Sequence, residues 1–177
     1  METAFEAQHD IAAPAEYVFE CAQDFARFEA LARARGVAVE RHGSAPKDGL
    51  AWTVRFDFRA MRRKVKVTLT EHEPPGHMRF AFRGRSVEGR SGVRITPLAD
   101  GQSRLSFDVV IAPRTLAARL ILQSLSLSRG RIERKLAARV QGFARTVEAR
   151  WAGQSPPDSV TAAADRQDRP RVHRGMR

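Results

Sequence analysis

Residues 50–59 read LAWTVRFDFR, and the period of two in that stretch decides the fold. Leu50, Trp52, Val54, Phe56 and Phe58 alternate with Ala51, Thr53, Arg55, Asp57 and Arg59. Successive side chains of an extended chain point to opposite faces, so this run is a strand with one dry face and one wet face. Such a strand belongs to an antiparallel sheet covered on one side only. The same alternation recurs downstream. Val65, Val67 and Leu69 oppose Lys64, Lys66, Thr68 and Thr70, and Met78, Phe80 and Phe82 oppose Arg79 and Arg83. Leu105, Phe107, Val109 and Ile111 close the series. Pro74, Pro75 and Gly76 supply one turn, and Asp100 with Gly101 another. Residues 86–96 are less regular, and Gly89 and Gly92 there predict a bulge or strong curvature. Five strands in short-turn connection make a meander.

Working outward, residues 37–41 form a further short strand before a turn cluster at 45–49. At the start of the chain, Phe5, Ala7, His9 and Ile11 alternate with Glu6, Gln8 and Asp10, the pattern of a half-buried strand. Pro14 then suits the first turn of a helix. Tyr17, Val18, Cys21, Phe25, Phe28 and Leu31 follow at spacings of mostly three and four, read as two short helices. Asp24 is placed to cap the second, and Gly36 to end it. After the meander, residues 115–151 carry one apolar stripe at helical period, from Leu116 and Leu120 to Leu136, Val140, Phe143, Val147 and Trp151. Gly130, after Ser124, Ser126 and Ser128, marks a point for a kink or a break. Arg129, Arg131, Arg134, Arg139, Arg145 and Arg150 form the face expected in solvent. The expectation is an α+β domain over residues 1–152: an antiparallel sheet of about seven strands and a long C-terminal helix, with two short helices after strand one. Residues 153–177 have the composition of a disordered basic tail.

The 177 residues carry 31 Lys and Arg against 20 Asp and Glu, a formal net charge of +11. The last 25 residues hold five Arg and three Asp, so +9 remains on the domain and most of the surplus is spread along the fold. Spread in this way, the charge is read as a basic solvated surface, and nucleic acid is not the expected partner. Cys21 is the only cysteine, which excludes an internal disulfide and a thiolate metal cluster. The first residues lack the basic and apolar regions of a secretory signal, and no run is long and apolar enough for a membrane span. A cytoplasmic location is the expectation, with peripheral membrane contact left open and either a monomer or a homodimer.

Several local matches join this order of elements. Ile11, Ala12, Ala13 and Pro14 lead into Tyr17, Val18 and Phe19, then Asp24 and Phe25. Gly49 to Trp52 opens the second hairpin, Glu73, Pro74 and Pro75 precede a Phe-rich strand, and Phe143 to Arg150 ends the last helix. On these, residues 3–151 resemble the START-like, or SRPBCC, superfamily in its polyketide cyclase/dehydrase branch. The resemblance implies a helix-grip fold, a curved antiparallel sheet wrapped around the long C-terminal helix, with an apolar cavity between sheet and helix. It leaves activity open, since that superfamily includes lipid carriers, hormone receptors and cyclases.

Within that picture, Trp52, Val54, Phe56, Phe80, Phe82 and Phe107 share the dry face and are candidate ligand contacts, as is Leu120 on the helix. Core packing is the competing use of the same side chains. Ser91, Ser124 and Ser128 are candidate polar contacts, although a helical Ser often bonds its own backbone. His9 is the one histidine on an apolar face and the best catalytic candidate; a backbone or Tyr17 partner is the alternative. His42, His72 and His77 fall at strand ends or turns and are expected to be exposed. No zinc spacing, no Gly-x-Ser-x-Gly elbow and no phosphate loop occurs, so neither a metal nor a cofactor is expected. The reading taken is binding or carriage of a hydrophobic small molecule (a lipid, isoprenoid or aromatic compound). The alternatives are a cyclase or dehydratase using His9 or a cavity Arg, and a basic protein docking on an anionic macromolecule or membrane through Arg62, Arg63, Lys64 and Lys66.

Overall fold

The computed structural model describes residues 2–58 and 60–154. Strand β1 (Thr3–Ile11) is followed by helices α1 (Ala15–Ala22) and α2 (Phe25–Ala34), then strands β2 (Ala38–His42), β3 (Ala51–Phe58), β4 (Met61–Glu73), β5 (His77–Gly84), β6 (Val87–Pro97) and β7 (Ser103–Pro113). Helices α3 (Leu116–Leu127) and α4 (Arg129–Gln154) complete the order. The seven strands form a single antiparallel sheet in the order β1-β7-β6-β5-β4-β3-β2, so β2 to β7 run as a meander and β1 closes beside β7. The expected helix-grip architecture is the observed one.

Local chemistry explains the element ends. Asp24 Oδ1 accepts from the Arg27 backbone N–H at 3.1 Å, so the predicted cap starts α2. Pro14 sits at the cap position before α1, one residue ahead of its expected place. Gly36 follows α2 at φ +80, where a side chain would be strained. Thr115, not singled out in the sequence, caps α3 by accepting from the Ala118 N–H at 3.2 Å.

The structure fixes three details of the elements, two of them against expectation. The bulge lies in β4, where the pairing with β5 shifts register between Leu69 and Glu71, while Gly89 and Gly92 pair in regular ladders. Those glycines serve close packing. A Cβ at Gly89 would lie 2.0 Å from the Val110 carbonyl oxygen and 2.5 Å from the Phe82 ring, and one at Gly92 would lie 2.7 Å from the Asp108 carboxylate. Second, the C-terminal helix takes the break for which Gly130 marked the place, at Ser128, so its two parts follow separate phases. Third, His72 and His77 are half-buried; His72 Nε2 lies 2.9 Å from Gln23 Oε1 and its ring packs on Phe19. The tail falls outside the described residues, His173 included, except that Gly153 and Gln154 continue α4.

The core lies between the sheet and the helices. Ile11, Val18, Phe19, Leu50, Met78, Ile95, Leu105, Ala144 and Val147 are its buried centre. Helix α4 packs along β1, with Ala144 and Val147 fully buried, and Glu148 accepts from the Ala12 N–H at 3.0 Å. This packing occupies one end of the sheet. The other end is left open beneath α2.

Candidate functional site

A cavity of about 510 Å³ lies where the sheet curves away from α2 and α4. Its size falls within the roughly 300–1,000 Å³ of small-molecule pockets. The floor is built by strand register. Trp52 pairs with Val67, Val54 with Val39, and Val93 stands between Met78 and Phe107 on the adjacent strands. Phe80 and Leu105 complete it. The walls are Phe25, Phe28, Glu29 and Ala32 of α2, Ala22 of α1, and Leu136, Arg139, Val140 and Phe143 of α4. Each set recurs every three or four residues, which turns one stripe of each helix inward.

Aromatic contacts hold the walls to the floor. Phe25 meets Trp52 edge-on at 5.1 Å and Phe80 at 6.4 Å, while Trp52 and Phe80 are 6.3 Å apart. Phe28 of α2 stacks on Phe143 of α4 at 6.0 Å, joining the two walls. Phe28 and Arg139 are both exposed and both line the cavity, so it reaches the surface between α2 and α4.

Among the described residues two charged side chains line it, Glu29 and Arg139. Glu29 Oε1 accepts from Trp52 Nε1 at 2.7 Å and from Arg41 Nε at 2.5 Å, and Oε2 lies 3.4 Å from an Arg33 nitrogen. Burial pushes the Glu29 carboxyl upward. The hydrogen bonds from Arg41 and Trp52, with the charges of Arg41 and Arg33, outweigh it and leave the pKa below the ordinary Glu value. Glu29 is therefore an ionised, largely satisfied anion at neutral pH. It fixes the position of the Trp52 indole N–H at the cavity wall. Arg139 makes no ion pair among the described residues and is the cation available to a guest.

The candidates from sequence divide. Trp52, Val54, Phe80 and Phe107 line the cavity together; Phe56, Phe82, Ser91, Leu120, Ser124, Ser128 and His9 do not. Along β3 the exposure climbs from 6% at Trp52 to 39% at Phe58, so Phe56 has the right face but lies past the covering helices. The Phe82 ring occupies the space over Gly89. Ser91 stands between Phe80 and Val109 and is not part of the lining. Leu120 points outward, the Ser124 hydroxyl donates to the Ile121 carbonyl at 2.7 Å, and exposed Ser128 ends α3. His9 is half-buried on β1, where α4 packs. The other lining residues were not singled out from the sequence as ligand contacts, and two of them carry charge. Glu29 stands four residues after Phe25 and three before Ala32, on the apolar stripe of α2, and a carboxylate there was a legible signal. Arg139, expected in solvent, likewise lies between Leu136 and Phe143 on the inward stripe of α4.

Comparison with known proteins agrees with this architecture. The family described as polyketide cyclase / dehydrase and lipid transport matches residues 2–148. No curated protein matches the chain in sequence. Among solved structures, the Zhui aromatase/cyclase from Streptomyces sp. R1128 is similar at 15% identity and TM-score 0.65, over 85% of this chain and 96% of that one. A Thalictrum norcoclaurine synthase variant, bound to a transition state analogue, is similar at 15% identity and TM-score 0.59, over 85% and 96%. A START superfamily protein from Mycobacterium smegmatis is similar at 12% identity and TM-score 0.52, over 79% and 98%. At these identities the structures bear on the fold alone. With the family model spanning nearly all of the described residues, the chain belongs to the polyketide cyclase/dehydrase and lipid transport family of START-like, SRPBCC proteins.

Proposed function

We propose that this protein binds and carries a hydrophobic small molecule in the cavity between the sheet and helices α2 and α4. The observation that carries the reading is the lining: about 510 Å³ walled by aliphatic and aromatic side chains, with Glu29 and Arg139 the two charged exceptions. An apolar guest gains by leaving water, and a few placed polar groups orient it. Trp52, Val54, Phe80 and Phe107 contact the guest body in this reading, and Arg139 faces any acidic or carbonyl group at the mouth. Native mass spectrometry of protein purified without detergent tests it. A co-purified apolar compound, lost in a variant with a filled cavity, is the expected result; bare protein that takes up no apolar compound counts against it.

A cyclase-type activity stands second, because two of the structurally similar proteins are, by description, an aromatase/cyclase and a norcoclaurine synthase. It asks more of the residues. His9 lies outside the lining, and Glu29 is engaged by Trp52 and Arg41. Incubating the recovered compound with fresh protein separates the two readings: an unchanged mass favours carriage, and a loss of water or a ring closure favours catalysis.

A further inference from the structure

Helix α3 is apolar on two opposite faces. Ala118 and Leu122 are buried toward the sheet. Leu116, Leu120 and Leu127, spaced four and seven residues apart, share the opposite face and are 77%, 67% and 91% exposed. A helix that is hydrophobic all round is ordinarily buried, and here one face has no partner among the described residues. The surroundings are as lopsided as the helix. Residues 114–139 hold seven cations and a single carboxylate, Glu133, which Arg129 already engages at 2.8 Å. Arg119, Arg131, Arg134 and Lys135 are exposed and make no ion pair among the described residues.

We propose that this outward face of α3 docks on an anionic lipid bilayer, the leucines entering the headgroup boundary and the neighbouring cations meeting lipid phosphates. Exposed leucines flanked by unpaired arginines are the combination such an interface takes, since apolar burial and attraction to anionic lipid add. Two other occupants fit less well on charge. A second copy of this chain would bring the same unpaired cations face to face. Residues 155–177 carry five Arg against three Asp and few large apolar side chains, a poor match for a basic leucine face. The proposal does not depend on what the cavity holds. It gives a carrier of apolar molecules a place to load, with the cavity-lining residues Leu136 and Arg139 only a few turns along from Leu127.

Co-sedimentation of the full chain with phosphatidylcholine vesicles, with and without about one-third phosphatidylglycerol, tests this. Wild-type protein is expected to sediment with the anionic vesicles and to be released by salt. The variant Leu116→Ser/Leu120→Ser/Leu127→Ser should lose at least about tenfold in vesicle partitioning, and Arg119→Gln/Arg131→Gln/Arg134→Gln a similar factor. Both should melt as wild type does, because the altered side chains are exposed. Wild-type protein that ignores anionic vesicles overturns the proposal. So does undiminished binding by the leucine variant, or a wild-type dimer that the leucine variant converts to monomer while vesicle binding stays the same.

Discussion

The indole N–H of Trp52 donates to Glu29 Oε1 at 2.7 Å, tying the second helix to the third strand at the cavity wall. The same oxygen receives Arg41 from the neighbouring strand, so one carboxylate holds three elements in place. Removing it leaves two donors to find water inside a mostly apolar wall. Glu29→Ala is expected to destabilise the protein by about 2 kcal/mol, measured by urea unfolding. Glu29→Gln keeps an acceptor for Trp52 and should cost about half as much.

The same contact sets a pH dependence. The Glu29 pKa is lowered in the folded state, so its contribution to stability is present above the unfolded Glu value of about 4.3 and is lost as pH falls through the lower folded value. Asp10, held low by its hydrogen bonds from Arg104 at 2.6 and 2.8 Å, acts in the same direction at the exposed edge of the sheet. In a Trp151→Phe background, Trp52 emission reports the Glu29 event alone. It should stay constant from neutral pH down through the ordinary Glu range and change only below it. A transition centred at or above the ordinary Glu value would contradict the geometry.

Gly89 has no room for a methyl group. Gly89→Ala should cost about 3 kcal/mol by urea unfolding. Shortening the neighbouring ring with Phe82→Ala should not restore stability, because the Val110 carbonyl 2.0 Å from the new atom is backbone and cannot withdraw. Full rescue by the double variant would mean that the ring alone set the constraint.

Much of this was legible in the sequence, and the reasons for the remainder are physical. Alternation at Trp52 and Val54 identified the dry face, and Asp24 announced its helix. Alternation reports a side chain's face, however, and not whether anything covers it, so Phe56 looked the same as Trp52. A helical stripe is likewise read in one phase. The break at Ser128 resets that phase, which placed Leu120 and Ser124 inside when they face solvent. Arg139 borders the stripe of Leu136, Val140 and Phe143, and an arginine there reads as solvated until the helix is seen beside the cavity. Glu29 was passed over because a carboxylate in an apolar stripe is costly until its partners are known, and Arg41 and Trp52 are 12 and 23 residues away.

The most direct test of the account is a titration with Nile red, following probe emission together with quenching of Trp52 in the Trp151→Phe protein. The account predicts saturable binding to one site, and a loss of at least about tenfold in affinity when Val93→Trp fills the floor between Met78 and Phe107 without lowering the melting temperature. Absence of saturable binding, or equal affinity in the filled variant, would contradict it.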